Sequence, residues 1–317
     1  MFISGNIYSQ LYLNMFNSNI EICTQKFDHW LNLKKTKHKI KFLLLEEKKS
    51  ITNSDTVLYF WPNNKIEAIF HLHRICSLLP INSHIFLVGG KNSGINTVKN
   101  LLKQWMRLEK IDFAKHCLLF VGVIILKPNF QFNYFINNTT WNAMNIKTVP
   151  GVFSYGKIDI GSQLLTSTFT SSIKGNVLDI GCGSGILSVS LAKCSKKVQL
   201  TLVDTNIAAL KSSELTLKYN NIKGDIFPSN IYSNVNNKFN LIISNPPIHN
   251  NSKTNLYYIN EIVKNSIQYL KPKGEIRIVI NSSISCHKIF KRTFLEYNIL
   301  KENFNFKVYQ AYKKYKK

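Results

Sequence analysis

Acidic residues are scarce in this chain relative to basic ones. Only 17 Asp and Glu stand against 41 Lys and Arg, for a formal charge of +24 and an isoelectric point near 9.7. That imbalance favours a polyanionic partner through counterion release and steering. An AT-rich coding composition, rich in Lys, Asn, Ile, Tyr and Phe, gives the same skew, so the charge permits RNA binding without establishing it. Patterned cysteine is absent as well: the six cysteines show no C-x-x-C spacing and no paired histidines. A disulfide framework and a metal site are therefore not expected. Long apolar runs are missing too. The longest, Cys117 to Leu126, is too short to cross a bilayer as a helix. The opening residues lack the basic-then-apolar order of a signal peptide, so a soluble, cytoplasmic protein with no membrane partner is expected. What remains is 44% hydrophobic and 12% aromatic over 317 residues, enough for two domains of ordinary size.

The most informative stretch runs from Val177 to Leu187, VLDIGCGSGIL. A short apolar run ends in three alternating glycines, Gly181, Gly183 and Gly185, and an apolar segment at helical spacing follows. Strand, glycine turn and helix make the first βα unit of a nucleotide-binding α/β domain. The dinucleotide fingerprint G-x-G-x-x-G fails, because Ile186 stands at its sixth position. An acid, Asp179, precedes the glycines instead. It is unhelpful beside a phosphate and suited to a cation, so the expected ligand is S-adenosyl-L-methionine, with Asp179 facing its methionine end directly or through water. Other α/β domains with a glycine-rich turn share part of this pattern.

A second marker is the apolar run Phe239–Ile243, which leads into Ser244-Asn245-Pro246-Pro247-Ile248-His249. Two consecutive prolines cannot extend a central strand. They stiffen a corner at the carboxyl edge of the sheet, where ligand sites of α/β folds lie. The Asn245 side-chain carbonyl and the Pro246 backbone carbonyl would then form two fixed acceptors for a planar –NH2 group. Asn-Pro also starts ordinary turns.

Between these markers, Val198–Val203 reads as a strand ending at Asp204, an acid placed for ribose hydroxyls. Asn206 to Tyr219 reads as a helix and Asp225–Phe227 as a third strand. Upstream, GVFSYGKIDIGSQLL (Gly151–Leu165) reads as a glycine-hinged cover, with Gln163 opening a helix. Downstream, NNSKTNLYY is expected to be a polar loop whose Tyr257 or Tyr258 could stack on a base. A helix to Leu270, a turn at Lys271–Gly274, the strand Glu275–Ile280 and a closing hairpin within Asn298–Tyr312 complete this half. In the first half, residues 1 to about 50 carry no motif. Thr56–Trp61 reads as a strand, Lys65–Leu79 as a helix, and Ile85–Val88 as a strand before the glycine turn Gly89–Gly94. A helix to about Met106 and a strand at Cys117–Ile125 follow. This half resembles a worn copy of the second, lacking the acid and the Asn-Pro-Pro corner.

DIGCGSG together with NPPI resembles the class I S-adenosylmethionine-dependent methyltransferases that act on exocyclic amino groups. GVFSYGKIDIGSQLL, FPSNIYS (Phe227–Ser233), ISNPPIH (Ile243–His249), GEIRIVIN (Gly274–Asn281) and DTVLYFWPNNKIEA (Asp55–Ala68) are similar to the bacterial ribosomal RNA small subunit methyltransferase C family. The resemblance implies an α/β fold with two Rossmann-like, methyltransferase-type domains. Residues 1–140 would be a degenerate copy that positions RNA, and residues 141–317 a catalytic seven-stranded class I sheet. It further implies N2-methylation of a guanine in 16S rRNA, with the rRNA or the small ribosomal subunit as partner and a monomeric enzyme. Asn245, Pro246 and Pro247 would be catalytic. Asp179, Gly181, Gly183, Gly185, Asp204 and Asn230 would bind the cofactor, Asn230 by meeting the adenine edge. Ile248 and His249 would touch substrate. The family carries Phe where Ile248 stands, so the stacking surface for the base is reduced. Two other readings stay open: a glutamine side-chain methyltransferase, and a non-catalytic rRNA-binding or assembly protein.

Overall fold

The computed structural model describes residues 1–7, 20–246 and 252–314. Pro247, Ile248 and His249 lie outside the described residues. The chain divides into two compact units, Met1–Ile136 and Asn137–Lys317, a few residues ahead of the boundary expected at 140.

The first unit holds strands β1 (Phe2–Gly5), β2 (Glu21–Thr24), β3 (Lys39–Phe42), β4 (Val57–Phe60), β5 (His84–Gly90), β6 (Met106–Ala114) and β7 (Cys117–Ile124). Helices α1 (Phe27–Leu33), α2 (Lys48–Thr52), α3 (Lys65–Leu78) and α4 (Val98–Leu102) connect them. The second unit opens with the hairpin β8 (Asn137–Trp141) and β9 (Met144–Thr148), then α5 (Ile160–Thr166). There follow β10 (Gly175–Ile180), α6 (Ile186–Cys194), β11 (Val198–Asp204), α7 (Ile207–Tyr219), β12 (Asp225–Pro228) and β13 (Phe239–Ser244). Its last part is α8 (Ser252–Tyr269), β14 (Leu270–Asn281), α9 (His287–Phe294), β15 (Asn298–Glu302) and β16 (Phe306–Tyr312).

Each unit builds one seven-stranded sheet. The orders are β3-β2-β1-β4-β5-β7-β6 and β12-β11-β10-β13-β14-β16-β15, so the two topologies are the same. Five strands of each run parallel and the last two close the edge antiparallel. Parallel strands covered on both faces need near-continuous apolar runs, and β10 and β13 supply them. Leu178 and Ile242 enter the core on one side of the second sheet. Val177, Leu241 and Ile243 enter the core on the other. This alternation is the period of two that a strand imposes.

Several expectations need correction. The first unit's opening strand is Phe2–Gly5, inside the stretch that carried no motif; four residues give too short an apolar signal to read. The Gly89–Gly94 stretch begins at the end of β5, not after the central first strand, so it is no relic of the cofactor turn. The counterpart of that turn follows β1, where residues 8–19 lie outside the described residues. A helix reaching Met106 is also wrong: α4 ends at Leu102 and Met106 begins β6. Residues 252–258 are the start of α8 instead of a loop. Lys271–Gly274 is a bulge inside β14, not a turn before it. Phe239 pairs with Leu270 while Leu241 pairs with Glu275, and Lys273 has φ of 60°.

One feature had no sequence signal at all. The side chains of Ser212 and Thr216 on α7 and of Asn220 at its C-cap, four apart, bond the backbone of β9 and of Val149 just past it. Ser212 Oγ accepts from Val149 N at 3.0 Å, Thr216 Oγ1 from Lys147 N at 2.9 Å, and Asn220 Oδ1 from Asn145 N at 3.1 Å. Residues four apart share a helix face, so polar side chains here serve a strand edge that has no strand beside it.

Candidate active site

β10 to β13 are parallel, so their carboxyl ends gather on one edge of the second sheet. Ile180 pairs with Ser244 and with Val203. The glycine turn after β10, Asp204 at the end of β11 and Asn245 after β13 are therefore neighbours across adjacent strands. Ser244 Oγ donates to the Ile180 carbonyl at 2.8 Å and ties the two central ends together.

Gly181, Gly183 and Gly185 all have positive φ, at 69°, 54° and 77°, the region that glycine enters without steric penalty. Their surroundings differ. A Cβ on Gly181 would meet nothing within 4 Å, and one on Gly183 only the Gly181 carbonyl at 3.9 Å. The turn thus presents bare backbone to open space. A Cβ on Gly185 would instead press on Ser213 of α7 at 3.1 Å. Its glycine is required by packing of the turn against that helix.

Asp204 closes the turn from the side. Its Oδ2 accepts from Gly183 N at 3.1 Å and its Oδ1 from Asn206 N at 2.8 Å. Asn206 in turn caps α7, accepting from Ala208 N, and donates to the Gly151 carbonyl at 2.6 Å. One acid therefore links the glycine turn, the start of α7 and the Gly151 segment.

Asp179 is fully buried, so of the two approaches expected, direct or through water, it is reached only from the turn side. Its Oδ2 accepts from Ser188 Oγ of α6 at 2.7 Å, while Oδ1 is buried without a hydrogen-bond partner. Burial pushes the carboxyl up to about 7; the Ser188 hydrogen bond opposes the rise and the negative charge of Asp204 adds to it. A buried carboxylate with one unused oxygen is costly by itself, and the need is met when a cation or a bridging water reaches it. Open space over Gly181 and an unsatisfied acid beneath it fit a ligand with an ammonium and a sulfonium centre.

Asn245 is the better-defined member of the corner. Its Nδ2 donates to Asp159 Oδ2 at 2.7 Å and to Ser162 Oγ at 2.9 Å. Pro246 behind it is buried. Asp159 also caps α5, its Oδ2 accepting from Ser162 N at 2.8 Å, so Asp159, not Gln163, opens that helix. An Asp ahead of an apolar helical run is a readable N-cap. Its contact with Asn245, 86 residues away, has no local signal. Gly161 belongs to α5 and lies against the Phe306 ring, where a Cβ would sit at 3.2 Å; packing, not flexibility, sets it. Asn230 is exposed just beyond β12, its backbone N–H donating to Ser233 Oγ at 3.0 Å. Tyr257 is on α8 and exposed.

No helix among the described residues is long and apolar enough to cross a membrane. A family model described as the methyltransferase small domain matches residues 143–310, and the corresponding N-terminal domain model matches residues 1–139. Ribosomal RNA small subunit methyltransferase C of Buchnera aphidicola subsp. Baizongia pistaciae is 49% identical over 312 residues, spanning 98% of this chain and 96% of the relative. The protein of the same name from Escherichia coli O7:K1 is 37% identical over 309 residues, spanning 97% and 90%. Among solved structures, the T. thermophilus 16S rRNA N2 G1207 methyltransferase in complex with AdoMet and guanosine aligns with a TM-score of 0.83 at 18% identity. It covers 99% of this chain and 88% of that one, a likeness that establishes the fold.

Proposed function

The chain belongs to the ribosomal RNA small subunit methyltransferase C family, and we propose that the corner at Asn245 is where its reaction takes place: transfer of a methyl group from S-adenosyl-L-methionine to the N2 amine of a guanine in 16S rRNA. The base equivalent to G1207, named for the T. thermophilus protein, is the target this reading assigns. When bound, the cofactor supplies an electrophilic methyl group on a sulfonium. The turn at Gly181 and Gly183 would hold it, Asp204 would accept from its ribose, and Asp179 would compensate its positive end. Asn230 would meet the adenine edge, and Gly185 would contribute through packing.

Guanine N2 is a weak nucleophile because its lone pair is shared with the ring. The Asn245 amide oxygen and the Pro246 carbonyl would accept the two N–H groups, which turns the lone pair toward the methyl and stabilises the positive charge that develops. A stiff Asn-Pro-Pro corner, with Pro247 as its second proline, suits this because no reorganisation is left for the moment of reaction. The base must leave any helix it occupies to reach the pocket. Ile248 and His249 are proposed substrate contacts, with Ile248 giving apolar contact and no π-face.

The observation that carries this reading is the Asn245 amide, held with both hydrogens engaged beside open glycine backbone on the same sheet edge. The sulfonium is itself an activated electrophile, so the chemistry asks for no Lewis acid, and a metal-independent enzyme is proposed. A monomer working in the cytoplasm, where rRNA is made, completes the proposal. The first unit, basic and without the corner, is assigned to RNA positioning. Primer extension on 16S rRNA or small subunits incubated with protein and donor tests the whole. A new stop at a single guanine is expected; methylation of a protein glutamine with none on rRNA would overturn it.

A further inference from the structure

The orientation of Asn245 is decided by a residue from another element. An ionised carboxylate offers acceptors only, so Asp159 Oδ2 at 2.7 Å compels the amide to turn its nitrogen inward. Ser162 Oγ, at 2.9 Å, takes the second hydrogen. The amide is planar, so Oδ1 is then directed to the opposite side. We propose that Asp159, assisted by Ser162, is a positioning residue for methyl transfer: it locks Asn245 in the flip that presents an acceptor, not a donor, to the incoming amine. This rests on the reading that the Asn245 corner receives a guanine amine. In the other flip the Asn245 NH2 would face the guanine NH2, donor against donor, and the lone pair would not be aimed. The negative charge of Asp159 also polarises the amide it holds and strengthens Oδ1 as an acceptor. Because the same carboxylate oxygen accepts from Ser162 N at 2.8 Å, the start of α5 and the flip of Asn245 are set together.

The two roles of Asp159 can be separated. Serine caps helices about as well as aspartate, yet its hydroxyl is too short to reach Asn245. Asparagine keeps an oxygen at the same reach and can accept both bonds. The full-length chain and its Asp159→Ser and Asp159→Asn variants are compared on unmethylated small subunits. Single-turnover methyl incorporation, donor affinity by calorimetry and melting temperature are read for each. For Asp159→Ser, turnover is expected to fall roughly 10²-fold, the scale of a small misplacement at a reacting centre, with donor affinity and melting temperature unchanged. Asp159→Asn is expected to recover the greater part of that loss. Wild-type turnover in Asp159→Ser would overturn the proposal, since Asp159 would then be a helix cap alone. Equal loss of turnover and donor affinity would make it a donor ligand instead. An Asp159→Asn variant as slow as Asp159→Ser would show that charge, not orientation, is what counts. A wild-type protein that binds donor and leaves 16S rRNA unmethylated would strike the proposed function itself.

Discussion

The two units share one strand order and differ at the edge where chemistry would sit. In the second unit, the strand end at Ile180 opens into glycine backbone facing empty space. In the first, a Cβ on Gly5 would lie 2.1 Å from the Phe60 carbonyl, so that glycine serves close contact between β1 and β4. By the same register the counterpart of Asp204 is Gln25, just past β2. The residue after β4 is Trp61, followed by Pro62, where Asn245 and Pro246 follow β13. Trp61 is buried and its side chain spends its one donor on the Ser93 carbonyl at 3.2 Å; that side chain has no acceptor to offer an amine. The frame is the same, and the proposed chemistry separates the units by the handful of residues placed on that edge.

The sharpest way to test that contrast is to remove the amide. Asn245→Ala is expected to lower methyl-transfer turnover roughly 10²- to 10³-fold, as loss of a preorganised electrostatic partner does, with donor affinity near normal. Kinetics on small subunits and calorimetry with S-adenosylmethionine check the two quantities. Parallel loss of both would mean Asn245 holds the pocket together and the corner is not what separates the units.

Next comes the number of donor sites. The full-length chain is expected to bind one S-adenosylmethionine. Asp204→Ala should weaken that site roughly 10- to 100-fold, the worth of one charge-assisted hydrogen bond, and should loosen the turn that Asp204 holds through Gly183 N. A second equivalent surviving in Asp204→Ala would show that the first unit keeps a site of its own, and the comparison would collapse.

A subtler difference lies one layer down. Where β10 carries Asp179, paired with Ile243, β1 carries Ser4, paired with Tyr59. Burial pushes Asp179 up to about 7 from an ordinary value of 3.8. The folded chain therefore holds that proton more tightly than the unfolded chain, and stability is lost as pH rises from about 4 through 7. At one pKa unit per 1.36 kcal/mol, the loss is on the order of a few kcal/mol. Asp179→Asn cannot ionise, so its melting temperature should gain on wild type from pH 5 to pH 8, while its donor affinity drops. Melting curves that run parallel across that range would show Asp179 has an ordinary acidity.

Much of this was legible in the chain because the signals were local. The strand, glycine turn and acid of β10, the apolar run of β13 before Asn-Pro-Pro, and the cap at Asn206 each lie within a dozen residues. The family resemblance rested on such stretches. What stayed hidden was either too short or too distant. β1 is four residues long, and a glycine pair at the end of β5 imitated a cofactor turn because sequence does not say which strand is central. The Asp159 contact to Asn245 and the α7 ladder to β9 join residues some 60 to 90 positions apart. The burial of Asp179 follows from α6 folding back over its own strand, which places Ser188 on it.

The smallest effect belongs to the first unit, whose central strand ends beside a buried polar cluster. Ser4 Oγ donates to Glu46 Oε1 at 2.7 Å, and His71 Nδ1 lies 3.0 Å from the same oxygen, all three buried. Burial alone would lower the His71 pKa; the Glu46 carboxylate outweighs it and raises the pKa above 6.5, with Glu67 adding in the same sense. A histidine raised in this way stabilises the fold fully below its unfolded value, near 6.5, and the contribution fades as pH climbs through the folded value. Trp30, Trp61 and Trp105 all lie in the first unit and only Trp141 in the second, so urea unfolding followed by tryptophan fluorescence reports chiefly on this unit. The wild-type midpoint should decline as pH rises above about 6.5, and His71→Leu should flatten that decline, since leucine carries no proton to lose. A slope that persists in His71→Leu would mean another group titrates there and that the Ser4, Glu46 and His71 contacts are pH-neutral packing.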